Sequence, residues 1–204
     1  MKLFIDTSDE RKIRKYQELG FIDGCTTNPK IMADEGVSDW KNKLKDLSSL
    51  VNGPVSGEVT SNDKEEIVRQ AREISNIGEN VNVKIPANKP GFRAASELNN
   101  VEINMTACMS PGQVFLANKA GVRYASLFMG RISDMGYDPA EVISKSSQLT
   151  DDSTSIIVGS IRKVHDVQEA FLAGADIVTV PPEFVDEMIE NKKTDEIIEE
   201  FLKD

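Results

Sequence analysis

Short runs rich in β-branched and aromatic residues recur along the whole chain, beginning at Lys2, Phe21, Val55, Val81, Val101, Val122, Ser155 and Asp176. Between them lie segments whose apolar residues return every three or four positions, the spacing of an amphipathic helix. Ile13 and Tyr16 mark a first helix; Trp40, Leu44, Leu47 and Val51 a second; Ile67, Ala71 and Ile74 a third; Val164, Val167 and Phe171 a later one. The segment from Pro111 to Lys119 is apolar nearly all round, which predicts a helix packed tightly on a sheet. Eight strand-like runs alternating with helices predict a parallel α/β sheet. An open doubly wound sheet is the alternative, but the strand count and the lack of a GxGxxG or Walker-type loop favour closure into a (β/α)8 TIM barrel. Two more helical stretches follow, from about Pro182 and Thr194, and Ile197, Ile198, Phe201 and Leu202 give the last an apolar face. That face either caps the barrel or packs on a neighbouring subunit. No linker, repeat or composition shift interrupts the chain, so residues 1–204 read as one domain.

Side chains alternate between the two faces of a strand, which sorts each run into two phases. Phe4 and Asp6 share one phase; so do Ser56 and Glu58, then Asn82 and Lys84, then Glu102, Asn104 and Thr106, and then Tyr124, Ser126 and Phe128. The opposite phase is largely aliphatic. In a barrel the aliphatic phase packs on the helices and the other points inward, and the C-terminal mouth is where the chemistry lies. Asp6, Glu58, Lys84, Asn104, Thr106 and Ser126 are therefore expected to converge on one space, provided no register slips.

Composition narrows the classes. The chain has 204 residues, 39% hydrophobic and 28% charged, with a net charge of −10. Nucleic acid and anionic membranes call for a basic face, so neither is an expected partner. A small phosphate is still within reach of a few local arginines. The opening MKLFIDTSDERK has too short an apolar run for a signal peptide, no stretch approaches membrane-spanning length, and the cytoplasm is the expected location. Cys25 and Cys108 are isolated, which suggests neither a disulfide framework nor a metal site. The glycosylation sequon at Asn104 reads as coincidence.

Lysine is rarely buried unless paired or functional. Inside a barrel, desolvation would favour the neutral amine of Lys84, a nucleophile able to form an iminium with a ketone and open it to C–C cleavage. Asp6 and Glu58 are the carboxylates available for the proton transfers that this requires. The alternative is a structural ion pair that holds Lys84 in place. Arg131 follows the sixth strand, and Ser160 and Arg162 close the seventh, the region where barrels often bind phosphate; solvated arginines are the alternative. His165, the single histidine, reads as a surface residue at a helix start, which argues against a Ser-His-Asp triad. Cys108 reads as a buried structural thiol.

The ordered set FIDT at 4–7, TTNP at 26–29, GEV at 57–59, VKIP at 83–86, NMT at 104–106, SLFMGR at 126–131 and GSIR at 159–162 resembles the transaldolase family. These matches span nearly the whole chain, and its length resembles the short transaldolase and fructose-6-phosphate aldolase branch. The resemblance implies a class I mechanism without metal or organic cofactor. In it Lys84 matches the Schiff-base lysine, Asp6 the acid/base at the donor's C4 hydroxyl, and Glu58 the carboxylate acting through a water held partly by Thr106. It also implies that Asn28, Asn104 and Ser126 hold the dihydroxyacetone portion and that Arg131, Ser160 and Arg162 bind phosphate. Relatives of this length resemble pentameric rings paired into decamers, so a homo-oligomer whose C-terminal helix reaches a neighbour is expected.

Two positions separate the branches: aldolase members carry glutamine and tyrosine where this chain has Glu58 and Phe128. Both residues side with transaldolase, and Phe removes a hydroxyl that would organise water. The expected reaction moves a dihydroxyacetone unit from fructose 6-phosphate to erythrose 4-phosphate, giving sedoheptulose 7-phosphate and glyceraldehyde 3-phosphate, within the pentose phosphate pathway. A fructose-6-phosphate aldolase is the nearest rival, an enzyme for a sulfonated sugar phosphate another, and a non-catalytic sugar-phosphate sensor the rival from a different class. The chain departs from the family at Leu127, at Met109 and at the segment Asn191 to Thr194, differences that bear on acceptor preference and subunit packing.

Overall fold

The computed structural model describes residues 1–203, and in it the β-rich runs become eight parallel strands. They are β1 (Lys2–Asp6), β2 (Gly24–Thr26), β3 (Val55–Glu58), β4 (Val81–Pro86), β5 (Ile103–Cys108), β6 (Tyr124–Phe128), β7 (Ser155–Gly159) and β8 (Ile177–Val180). Each pairs with its successor, and β1 also pairs with β8, so the sheet closes into the expected (β/α)8 barrel. The helices among the described residues are α1 (Glu10–Glu18), α2 (Pro29–Asp34), α3 (Trp40–Leu50), α4 (Lys64–Ser75), α5 (Lys89–Ala95), α6 (Pro111–Lys119), α7 (Met129–Asp134), α8 (Pro139–Ser147), α9 (Val164–Leu172), α10 (Pro182–Ile189) and α11 (Lys192–Phe201). Asp9, Asp39, Asp63 and Asp138 cap helix starts with their carboxylates, and prolines open α2, α5, α6, α8 and α10 where no intrahelical N–H is needed.

The core has two zones. The aliphatic phase of the strands, with Ile5, Val55, Val83, Ile85, Met105 and Leu127 wholly buried, packs on the helices. Burial of each such side chain contributes about 1.5–3 kcal/mol. A separate cluster of Phe4, Tyr124, Ile157 and Ile177 lies on the opposite phase and fills part of the barrel interior. Beside it Ser56 and Asn82, both wholly buried, close a polar pair, with Ser56 Oγ donating to Asn82 Oδ1 at 2.9 Å.

Three of the expected strand starts fall too early, for one reason. After α1, Gly20 takes φ 72° and the Phe21 N–H returns to the Tyr16 carbonyl; after α6, Gly121 takes φ 72° and the Val122 N–H returns to Ala117; after α9, Gly174 takes φ 105° and the Ala175 N–H returns to Ala170. These are left-handed helix terminators, and the apolar residue beyond each glycine completes the helix end before the strand begins. Hence β2, β6 and β8 start at Gly24, Tyr124 and Ile177 rather than at Phe21, Val122 and Asp176. β5 likewise starts at Ile103, two residues after Val101, beyond Asn100 at φ 63°.

Helix α6 does not pack all round. It buries Val114 and Ala117 against β5, β6 and α8, while Leu116 is 53% exposed and Phe115 39%, because a helix on a barrel has one inward face only. Helix α11 has no buried residue, so its apolar face does not cap this chain's own barrel. Among the described residues, no helix is long and apolar enough to cross a membrane.

Candidate active site

Strand register sets the layout before any side chain is considered. Glu58 on β3 lies beside Lys84 on β4, which lies beside Asn104 on β5, all on the inward phase. Beyond Met105 the register of β5 against β6 slips, with Met105 opposite Ala125 but Cys108 opposite Leu127, and Ala107 sits at φ 57°. This bulge comes after Thr106, so Asn104 and Thr106 keep their inward phase and Cys108 returns to the outer one.

Lys84 is 5% exposed. Its Nζ lies 3.0 Å from Glu58 Oε2 as an ion pair and donates a hydrogen bond to the Thr27 carbonyl at 3.1 Å. The ion pair foreseen as an alternative is thus present as a contact, and a proton on Nζ has a carboxylate beside it to receive it. Asp6 Oδ1 accepts from the Thr26 hydroxyl at 2.7 Å. Burial above all raises the Asp6 carboxyl from its ordinary value; Lys84 and Thr26 oppose the rise, and Glu35 and Glu58 add to it.

On the facing wall Ser126 Oγ donates to Asn104 Oδ1 at 2.6 Å. The Asn104 Nδ2 and Thr106 Oγ1 atoms are buried with no partner among the described residues. An unmet buried polar atom costs about 1–3 kcal/mol, so a pair of them facing one space is the mark of a site shaped for an oxygen-rich ligand. That space is a cavity of about 170 Å³ lined by Asp6, Thr26, Asn28, Lys84, Asn104, Thr106, Ser126, Phe128, Arg131, Ile157, Gly159, Ser160 and Thr179. Asn28 reaches it from the start of α2, where its Oδ1 also caps the helix by accepting from the Ile31 N–H at 2.9 Å. Of the six residues expected to converge, Glu58 alone does not line this cavity: it lines a more apolar cleft of about 390 Å³ among α2, α3 and α4 and meets Lys84 from there.

At the end of β7, Ser160 takes φ 59° and its carbonyl accepts from the Gly130 N–H at 3.0 Å. A Cβ on Gly130 would lie 2.6 Å from both the Ser160 carbonyl oxygen and Arg162 Nε, so only glycine allows α7 this close. Arg131 and Ser160 line the cavity. Arg162 stands one step back, its Nη1 and Nη2 donating to the two oxygens of Asp134 at 2.7 and 2.5 Å. Arg162, with Arg131 beyond it, holds the Asp134 carboxyl below its ordinary value.

The weaker candidates fall away. His165 is exposed on α9 against Glu169 at 3.1 Å, and burial pushes the Cys108 thiol up to about 12. Sequence reasoning passed over four participants: Thr26, Thr27, Asp134 and Thr179. The inward phase of β2 and β8 would have pointed to Thr26 and Thr179; Thr27 acts through its carbonyl, and Asp134 through a contact between α7 and the loop after β7, neither of which leaves a pattern in the chain.

A family match described as Transaldolase/Fructose-6-phosphate aldolase covers residues 3–204. Proteins named probable transaldolase are similar over the full chain: one from Methanococcus maripaludis (strain C5) is 41% identical, covering 100% of this chain and 97% of its own length. One from Brucella ovis is 37% identical, covering 100% of this chain and 96% of its own length. Among solved structures, 3-hexulose-6-phosphate synthase from Salmonella typhimurium superimposes with a TM-score of 0.61 at 15% identity, covering 89% of each chain. Thiamine phosphate pyrophosphorylase from Pyrococcus furiosus does so with a TM-score of 0.63 at 14% identity, covering 88% of this chain and 85% of that one. At such identities the structures speak for the barrel alone, whereas the full-length match at 37–41% identity speaks for descent. By that match the chain belongs to the transaldolase/fructose-6-phosphate aldolase family.

Proposed function

We propose that the chain is a transaldolase that carries a dihydroxyacetone unit on Lys84. The observation that carries this reading is a nearly buried lysine at the barrel mouth, with Glu58 at 3.0 Å on one side and the unmet Asn104 Nδ2 and Thr106 Oγ1 close by. Glu58 takes a proton from Nζ, and the free amine attacks the C2 ketone of fructose 6-phosphate to give a carbinolamine. Protonation of the carbinolamine oxygen, through a water between Glu58 and Thr106, releases water and leaves the iminium. Asp6 then removes the C4 hydroxyl proton; the C3–C4 bond breaks, its electrons pass into the iminium, and glyceraldehyde 3-phosphate leaves.

The enamine on Lys84 next attacks the aldehyde carbon of erythrose 4-phosphate, and Asp6 returns its proton to the new hydroxyl. Hydrolysis of the iminium frees sedoheptulose 7-phosphate and restores the lysine. Asn28, Asn104 and Ser126 hold the three-carbon unit. Arg131, Ser160 and Arg162 hold the phosphate, with Asp134 keeping the Arg162 fork in place.

Glu58 and Phe128 favour transfer over the aldolase reaction, because Phe128 lines the cavity without adding a hydroxyl that would activate water against the enamine. The same reading puts the protein in the cytoplasm and in the pentose phosphate pathway, as a homo-oligomer. The exposed apolar end of α11, with Phe201 at 74% and the capping Leu202 at 81%, supports assembly. Product analysis with fructose 6-phosphate, with and without erythrose 4-phosphate, tests the reading. Turnover to sedoheptulose 7-phosphate only when the acceptor is present is expected; rapid release of free dihydroxyacetone without it would make the protein an aldolase.

A further inference from the structure

Strand β8 takes no part in the reaction steps set out above, yet it places one hydroxyl inside the barrel mouth. Thr179 is 7% exposed, lines the cavity, and has its Oγ1 2.5 Å from Thr26 Oγ1. Thr26, 3% exposed, is in turn 2.7 Å from Asp6 Oδ1. The three residues come from β8, β2 and β1, which closure of the sheet brings side by side. Thr179 is seated by its neighbour, since a Cβ on Gly159 would lie only 3.2 Å from the Thr179 methyl.

Proton counting fixes the direction of this chain of hydroxyls. An ionised Asp6 only accepts, so the single proton of Thr26 points to Asp6 Oδ1. Thr26 then has none left for Thr179, and Thr179 must donate to Thr26. Each bond polarises the next, and the charge at Asp6 strengthens both. A side chain wanted here for packing alone has no need of the hydroxyl, and valine offers the same shape without it.

We propose that Thr179 is a positioning residue for Asp6: it fixes the Thr26 hydroxyl on Oδ1, which leaves Oδ2 as the oxygen that exchanges a proton with the substrate's C4 hydroxyl. The inference rests on the Schiff-base reading above. The groups that set the charge around Asp6 are Lys84 on β4, Glu58 on β3 and Glu35 just beyond α2, with the Cys25 thiol on β2 close enough to respond to Asp6. None of these is altered by a change at Thr179, so a shift in the behaviour of Asp6 reports on the relay.

The test uses the full-length protein and Thr179→Val, with fructose 6-phosphate as donor. Borohydride trapping on Lys84 is expected to match the wild type, because iminium formation does not use Asp6. Single-turnover release of glyceraldehyde 3-phosphate should fall about fivefold, the worth of one hydrogen bond between neutral groups. The acid limb of that rate should move to higher pH, since the carboxylate has lost support. Thr179→Ser, which keeps the hydroxyl, should restore both rate and limb. Thr26→Val, which cuts the relay at its middle, should move the limb the same way and further; this variant decides the matter if Thr179→Val folds poorly. A cleavage rate and acid limb that superimpose on the wild type would overturn the proposal, as would equal losses in trapping and cleavage. A wild type that fails to trap would instead sink the Schiff-base reading.

Discussion

The inside of this barrel has a closed floor and an open mouth, and the same strands build both, two residues apart. On β1 the floor residue is Phe4 and the mouth residue Asp6; on β6 they are Tyr124 and Ser126; on β8, Ile177 and Thr179. Polar groups occur at both levels. At the floor Ser56 and Asn82 satisfy each other, and Asn82 Nδ2 also donates to the Val55 carbonyl at 3.2 Å. At the mouth Asn104 Nδ2 and Thr106 Oγ1 remain unmet, Lys84 and Asp6 line one cavity, and Glu58 meets Lys84 from the neighbouring cleft. The difference separates stability from chemistry: a satisfied buried polar pair only stiffens the barrel, whereas an unsatisfied one waits for a ligand.

The contrast can be broken most severely at the mouth. Asp6→Asn should slow C–C cleavage about 10²–10⁴-fold, the usual worth of a positioned acid/base group, in a single-turnover assay. The same change should stabilise the fold. Asp6 is raised by burial above its unfolded value, so the folded protein holds this proton to higher pH than the unfolded chain does. That contribution is complete below the ordinary carboxylate range and is lost as pH rises through the raised value. The asparagine variant does not titrate, so its gain in melting temperature over the wild type should grow with pH across that window and level off above it. A variant that melts below the wild type at neutral pH would contradict this.

At the floor the effect should be on stability alone. Phe4→Ala removes a wholly buried ring from the interior cluster and should cost about 3–5 kcal/mol by denaturant unfolding. The fraction that remains folded should still trap donor on Lys84; loss of trapping in folded protein would show that floor and mouth are not separable. The smallest effect is expected where the mouth tunes its outcome. Glu58→Gln with Phe128→Tyr should shift the ratio of free dihydroxyacetone to transferred product toward release by roughly tenfold, about 1.4 kcal/mol in relative barrier. An unchanged product ratio would remove these two positions from the account.

Much of this arrangement is legible in the chain because strand parity is a local property. Asp6, Glu58, Lys84, Asn104 and Ser126 lie on the inward phase that alternation assigned them, and the one register slip, in β5, falls just beyond Thr106. What was missed depends on closure or on helix ends. Phe21 and Val122 look like strand residues but complete the terminators of α1 and α6. Thr26 and Thr179 are 153 positions apart and meet only because β1 joins β8 to β2. The Arg162–Asp134 fork needs the close approach at Gly130, which no periodicity announces. Helices α2 and α7, six residues each, are too short for an apolar stripe to show.

Every step of the proposed reaction depends on a covalent bond between Lys84 and its donor. Incubation with fructose 6-phosphate and borohydride, followed by peptide mass analysis, measures it directly. A reduced adduct is expected on the peptide containing Lys84, and none in Lys84→Met. An unmodified Lys84 peptide under saturating donor would contradict the proposed reaction.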